Sequence, residues 1–279
     1  MECVARVRAE VGLRLGAGSR RGQGVGGVAA EGHGGIDALS QFKLVPVFGQ
    51  LGDTLHISQA NVMMAVAGIL TLLLLWVGMS PRAMIPGRLQ SAAEMAYETV
   101  MTLCVEQIGH EGKKFFPFVF TLFFFILFGN LMGVFPLFFT FTSHIAVTLG
   151  LSLFVFLLVT FVAIKEHGLH FFSYFVPKGV PVVLLPLMVV IEVISYLSRI
   201  ISLSVRLFAN MMAGHVMLEV FAGFVVMLGT AGGIFLLPAG LSFSVNVVLI
   251  GFELLVASLQ AYVFAILTCI YLHDAVHLH

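Results

Sequence analysis

The sequence predicts an all-α integral membrane protein. It has about five to six membrane helices, including a long, strongly tilted antiparallel helical hairpin at the C-terminus, plus an amphipathic surface helix. Three observations lead there. The chain has 279 residues, 59% hydrophobic and 10% charged, with mean hydropathy +1.07, whereas a soluble domain runs nearer about 45 to 50% apolar and about 25% charged. Its apolar residues gather into runs of the length that a hydrocarbon core of roughly 30 Å requires, about 20 residues per helix. The last two runs are too long for simple crossings and carry polar residues at helical spacing. Such a composition excludes a large water-soluble catalytic domain. The 14 Lys+Arg balance 14 Asp+Glu, so nothing favours nucleic acid as a partner. The three cysteines, Cys3, Cys104 and Cys269, lack metal-ligand spacing and cannot form an even set of disulfides. Cys104 and Cys269 read as buried packing residues, and no metal or other cofactor is expected.

Residues 1–30 form an Arg/Gly-rich extension with no apolar run long enough for a secretory signal. Glu2, Glu10 and a lone Ser19 weaken an organellar transit peptide. The favoured reading is sequence outside the working protein, with translation starting at Val28. Residues 31–61 are an outer-side lead-in, with a short amphipathic piece (Phe42, Leu44, Val45, Val47, Phe48) expected at the membrane interface. Residues 62–279 are the membrane domain. Its first span, 62–79, is closed by Ser80-Pro81. Residues 88–112 read as an amphipathic helix, with Leu89, Ala93, Val100, Leu103 and Ile108 near one side and Glu94, Glu98 and Glu106 elsewhere, resting at the membrane surface or on a partner. A Phe-rich second span, 115–141, carries Asn130 near its middle and Pro136 towards its end, and a third covers 145–164. A loop with Lys165, His167, His170 and Lys178 leads through Pro181 and Pro186 into a helix over 180–228. A Gly-rich break (Gly229, Gly232, Gly233, Pro238, Gly240) precedes a last helix over 241–272. His167 and His170 read as interfacial rather than ligands, and His273, His277 and His279 as a frayed end.

Positive charge orients these elements, because inner-side loops collect Lys and Arg. Arg82, Arg88, Lys113 and Lys114 follow the first span, and Lys165 and Lys178 follow the third. The turn after the second span and the Gly-rich break carry none. The lead-in and the break therefore lie outside and the C-terminus inside. A helix over 180–228 would reach about 73 Å at 1.5 Å per residue, so it must lie steeply tilted, against a large partner or a cavity.

Its polar residues, Glu192, Ser195, Arg199, Ser202, Arg206 and Asn210, share one helical face. His215 lies half a turn away from Arg206, on the opposite face. In the last helix Asn246, Glu253, Gln260 and Asp274 share a face at heptad multiples. An antiparallel hairpin about Gly232 and Gly233 then pairs residues by depth: His215 with Glu253 near the outer end, Arg206 with Gln260 in the middle, Glu192 with Asp274 near the inner end. An Arg at mid-membrane costs from about 2.5 to more than 10 kcal/mol, so it sits there for a function or a partner. An ion pair with Glu192 or Glu219 on its own helix is the bland alternative, and spacing makes both poor. His215 with Glu253 suits a proton relay, or else a hydrogen-bonded clamp between helices. Glu192 is a relay group or a snorkelling carboxylate, and Asn130 lines an aqueous cleft or bonds a neighbouring helix.

The runs IEVISYLSRIISLSVRLFANMMAGH (residues 191–215) and GFELLVASLQAYVFAILTCIYL (251–272) closely resemble the subunit a family of F-type ATP synthases. GRLQSAAEMAYETV, FFFILFGNLMGVFP and HFFSYFVPKGVPVVLLP carry the same resemblance, which covers roughly residues 42–272. It implies that Arg206 falls on the family's arginine, facing the carboxylates of a rotating c-ring. It puts Asn210, Ser202, Gln260 and Glu192 on polar positions of two half-channels, and His215 with Glu253 on the outer half-channel pair. Some bacterial members carry that Glu and His the other way round; the order here is that of mitochondria and their bacterial relatives. Ile200 departs from the family, many of whose members have Pro there. Its absence removes the reason for a local bend but not the chemistry.

The implied role is a proton-translocating stator subunit, not catalytic by itself, in a heteromultimeric complex with a c-ring, peripheral-stalk b subunits and membrane lipid. The implied location is a bacterial inner membrane, or else a mitochondrial one. Protons would arrive through Glu253 and His215 and leave past Asn130 and Glu192, with Arg206 between the clefts. No Gly-rich P-loop with Lys is present. One rival is a self-contained cation/proton antiporter, which needs inverted repeats that the sequence does not display. A haem-binding subunit needs facing His pairs, and His215 has no intramembrane His at its level.

Overall fold

The computed structural model describes residues 58–78, 87–135, 139–168 and 184–277. The 1–30 extension, nearly all of the 31–61 lead-in, Ser80-Pro81, Pro136, His170, Lys178, Pro181 and His279 lie outside them. The described chain consists of six α-helices and two 3-10 turns, with no strand among the described residues. The helices are α1 (Gln59–Gly78), α2 (Arg88–Ile108), α3 (Gly112–Val134), α4 (Ile145–His167), α5 (Leu185–Ala231) and α6 (Leu236–Val276). All but α2 are long and apolar enough to cross a membrane, which makes this a multi-pass membrane protein with five candidate spans.

The amphipathic helix α2 buries Ala93, Val100, Leu103, Cys104 and Ile108, a stripe at helical spacing, against α3 and α6. It ends at Ile108 rather than at 112, because Gly109 adopts φ 88°. The second span is shorter than the sequence pattern implied. α3 stops at Val134, with Phe135 extended at φ −80°, ψ 126°, since the residue before a proline is disfavoured in helical backbone. Along α3, Phe116, Phe120 and Phe124 follow one another every fourth residue, with ring centroids 5.4 and 4.6 Å apart. This aromatic ladder packs into the core that α2, α4 and α6 share. Phe141, which the pattern assigned to that span, instead opens a 3-10 turn (Phe141–Ser143) that turns the chain into α4.

α5 is 47 residues long and α6 is 41, or about 70 and 62 Å at helical rise. They form the hairpin that the sequence predicts, but the break between them is much tighter. Only Gly232 (φ 66°) and Gly233 (φ 60°) take the left-handed backbone that favours glycine. Gly229 continues α5, while Pro238 and Gly240 lie inside α6. Pro238 is tolerated because the first helical turn leaves its N–H groups without intrahelical acceptors. α6 packs on α3 through small residues, Ala257, Ala261 and Ala265, all buried. α5 packs on α6 and α4 and buries only one narrow row: Leu203, Ser204, Leu207, Met211 and His215. At the opposite end of the bundle from the Gly232–Gly233 turn, His167 Nε2 lies 3.1 Å from the Val276 carbonyl oxygen, tying the ends of α4 and α6 together.

Candidate functional site

Four of the row residues on α5, Leu203, Leu207, Met211 and His215, recur every fourth position and face α6. Flanking this row, Ser202, Arg206 and Asn210 are exposed, and Glu192 is half-buried. The last helix turns its polar residues inward: Glu253 and Gln260 are 4% and 3% exposed. The sequence pattern placed one polar face on each helix; the structure packs Glu253 and Gln260 of the α6 face into the hairpin, while the α5 face borders it, with Ser202 and Arg206 exposed and Arg199 and Asn210 reaching α6.

Near the turn of the hairpin, His215 Nδ1 lies 3.4 Å from Glu253 Oε1. The contact is close enough for an ion pair but not aligned as a hydrogen bond, and neither Glu253 oxygen has a hydrogen-bond partner among the described residues. The other ring nitrogen, Nε2, is 2.8 Å from Thr140 Oγ1, and that hydroxyl donates to the Gly133 carbonyl at 3.2 Å. Two glycines make room here. A Cβ on Gly214 would stand 2.9 Å from Glu253 Oε1, and one on Gly133 would stand 2.5 Å from Thr140 Oγ1. Beside this cluster His144 stacks on Phe139, and burial lowers its imidazole from its ordinary value.

Asn130 is fully buried and donates from Nδ2 to the Ala257 carbonyl of α6 at 3.3 Å, while its Oδ1 has no partner among the described residues. Ala257 lies between Glu253 and Gln260, four and three residues away, so Asn130 sits between the outer and middle levels and not with Glu192, beside which the expected exit path put it. Deeper in the hairpin Asn210 Nδ2 donates to Gln260 Oε1 at 2.7 Å. The middle level therefore pairs Gln260 with Asn210, one turn along from Arg206. Arg206 itself makes no ion pair or hydrogen bond among the described residues.

The inner level differs from the sequence register. Asp274 meets Arg199, not Glu192, with Nη1 to Oδ2 at 3.1 Å, and the Arg199 guanidinium lies 4.9 Å from the Tyr271 ring and 5.6 Å from the Tyr196 ring. Equal-depth counting assumes that two straight helices keep step. The observed partners on α5 lie nearer the hairpin turn than equal-depth counting puts them, by four residues at Gln260 and seven, about two turns, at Asp274, which brings Arg199 and not Glu192 to the carboxylate. Glu192 makes no ion pair among the described residues. Cys104 and Cys269, read separately as packing residues, are indeed buried, and they also face each other with Sγ atoms 4.0 Å apart. No group of three or more His, Cys, Asp or Glu could hold a metal among the described residues.

Thr140 was not marked from the sequence. The signal was available in the uncharged polar run T-F-T-S-H (Thr140 to His144) between two apolar spans, where Thr140, Thr142 and Ser143 are all buried. Arg199 was placed on the polar stripe without a role.

The ATP synthase A chain family model matches residues 61–273, nearly the whole described bundle. The chain belongs to the ATP synthase A chain family. It is 61% identical over 245 residues to ATP synthase subunit a of Granulibacter bethesdensis, covering 88% of this chain and 98% of that relative. To ATP synthase subunit a of Gluconacetobacter diazotrophicus it is 58% identical over 241 residues, covering 86% and 97%. A more distant relative, ATP synthase subunit a of Rhizobium rhizogenes, is 52% identical over 237 residues, covering 85% and 94%. Membership fits the five apolar helices that the described residues form.

Proposed function

We propose that this chain is the proton-translocating stator subunit of an F-type ATP synthase in the bacterial inner membrane, where it works against the c-ring within a complex that also contains b subunits. The observation that carries this reading is the exposure of Arg206. A guanidinium at mid-helix in an apolar segment needs a compensating partner, and no carboxylate among the described residues pairs with it. Its partner is then a carboxylate on another chain that slides past the outer face of α5. Ser202 and Asn210, one turn to either side and also exposed, belong to the same surface.

Behind that surface the polar groups divide into two sets. Glu253, His215 and Asn130 form the outer set, and buried polar atoms without partners, both Glu253 oxygens, Asn130 Oδ1 and Gln260 Nε2, mark a path suited to water, since an unsatisfied buried polar atom costs about 1–3 kcal/mol. Glu192 is the inner group. A proton handed from the outer set neutralises a ring carboxylate, which can then enter lipid. After nearly a full rotation the carboxylate reaches the inner side and releases the proton past Glu192. Arg206 stands between the two sets, stabilises the ionised carboxylate and blocks a direct path between them. Each proton carries about 2.3 kcal/mol per 100 mV, and several together supply the work of ATP synthesis elsewhere in the complex.

The test is disulfide cross-linking in the assembled complex between a cysteine beside the ring carboxylate and cysteines placed along α5. Cysteine at Ser202 or Asn210 is expected to cross-link, and cysteine at buried Leu203 or Leu207 is not. Equal cross-linking from both sides, or none from the exposed side, contradicts the reading.

A further inference from the structure

The outer pair has a third member. We propose that Thr140 is a positioning residue that holds His215 with its proton on Nε2 and a lone pair on Nδ1 aimed at Glu253. The inference rests on the reading of His215 and Glu253 as the outer proton pair.

A threonine hydroxyl has one hydrogen and two acceptor lone pairs. The Gly133 carbonyl can only accept, and it takes the Thr140 hydrogen at 3.2 Å; in that arrangement the hydroxyl accepts from His215 Nε2, 2.8 Å away, and Nε2 carries a hydrogen. A neutral imidazole has just one, which leaves Nδ1 unprotonated and facing Glu253 Oε1 at 3.4 Å. When Glu253 is protonated, its O–H bond can break as an N–H bond forms at Nδ1, giving a carboxylate and an imidazolium. The reverse step restores both neutral groups. Only the proton changes place.

Without the Thr140 hydroxyl the preference reverses. An ionised carboxylate accepts hydrogen bonds and would draw the ring hydrogen to Nδ1, leaving no lone pair on that nitrogen to receive a proton. The tight contact in this cluster is thus the one to Thr140, and the loose one is where the proton moves.

The pose of Thr140 is built rather than incidental. Gly133 of α3 has no side chain where a Cβ would meet Thr140 Oγ1 at 2.5 Å and Cγ2 at 2.7 Å. Ser143 Oγ donates to the Thr140 carbonyl at 2.6 Å and pins its backbone at the start of the 3-10 turn. Besides Glu253 on α6, the titratable side chains near this end of the bundle among the described residues are Glu219, one turn along α5 from His215, and His144 beside the turn. The charged residues of α3, Lys113 and Lys114, are at its far end, and α1 has none.

The test uses the assembled complex in membrane vesicles, with passive proton conduction and ¹⁵N NMR of labelled histidine as readouts, the His215 signals being assigned by their loss in His215→Asn. Thr140→Val, which keeps the shape and removes the hydroxyl, is expected to lower conduction roughly two- to tenfold, the range that one net hydrogen bond commands. It should also move the His215 signature from Nε2–H towards Nδ1–H. Thr140→Ser should restore both. Gly133→Ala, which keeps the hydroxyl but displaces it, must reproduce the loss, and it serves as the deciding variant should Thr140→Val not assemble. Wild-type conduction in Thr140→Val or Gly133→Ala overturns the proposal, as does lost conduction with the Nε2–H signature unchanged. Undiminished conduction in His215→Ala is a different failure: it removes the outer-pair reading itself, whatever Thr140 does.

Discussion

Replacing Gly214 by alanine separates stability from conduction at the outer pair. Gly214 precedes His215 on α5, and a Cβ there would stand 2.9 Å from Glu253 Oε1, 3.3 Å from Cδ and 3.4 Å from Cγ. The carboxylate is the far end of a flexible side chain, so it can swing aside. To regain ordinary contact its oxygen must retreat by about 0.5 Å, since carbon and its neighbours settle near 3.5 Å. The fold loses little by this, and replacing glycine in a helix interior by alanine gains about 1 kcal/mol. The complex should therefore assemble as well as the wild type or better. Proton hand-over is less forgiving: His215 Nδ1 and Glu253 Oε1 are already 3.4 Å apart, and a misplacement of about 1 Å can cost on the order of 10²-fold in a positioned reaction. A shift half as large predicts a loss of roughly tenfold. The assay is passive proton conduction through the membrane sector in vesicles stripped of the catalytic head, normalised to the amount of assembled complex. Wild-type conduction at normal assembly would refute the claim that the Glu253 position matters, and lost assembly would refute the packing argument.

Three further outcomes follow from the same geometry. Exchanging the outer pair (His215→Glu with Glu253→His) should retain more conduction than either alanine variant, though less than wild type because Thr140 faces position 215; equal loss in all three would count against pairing. Asp274→Asn removes a partly exposed ion pair, 21% and 30% exposed on its two sides, and leaves Arg199 between Tyr271 and Tyr196. Its effect on the thermal stability of the complex should stay within about 1 kcal/mol, and a collapse of assembly would show that Arg199 needs this carboxylate. Cys104 and Cys269 are fully buried, so a water-soluble maleimide should modify neither in the folded complex, as mapped by mass spectrometry; labelling of either would contradict the packing of α2 on α6.

The sequence made the helices and their order legible because apolar runs of bilayer length leave few alternatives. It also made the His215–Glu253 level legible, since that level lies nearest the hairpin turn, where counting back along two helices accumulates little error. The same count failed at Asp274, far from the turn, where slip of the helices brought Arg199 into reach. Turn positions were read less well. Five residues looked like helix breakers between the long helices, yet only Gly232 and Gly233 have backbone angles that require glycine. Periodicity cannot tell a proline in a first helical turn from one that ends a helix. Thr140 went unmarked for another reason: the polar run around it is a local signal, but its partner on α5 lies 75 residues away in sequence, and no local pattern encodes that partner. The stripe on α5 was visible as a face, but which face of each helix looks inward is settled only by packing. That packing leaves Arg206 outside.

The most direct measurement is Arg206→Ala in the assembled complex, with proton-driven ATP synthesis and passive proton leak recorded in the same vesicles. Loss of synthesis together with a raised leak is the predicted result, because the guanidinium both stabilises the partner carboxylate and separates the two paths. Coupled synthesis at the wild-type rate would contradict it.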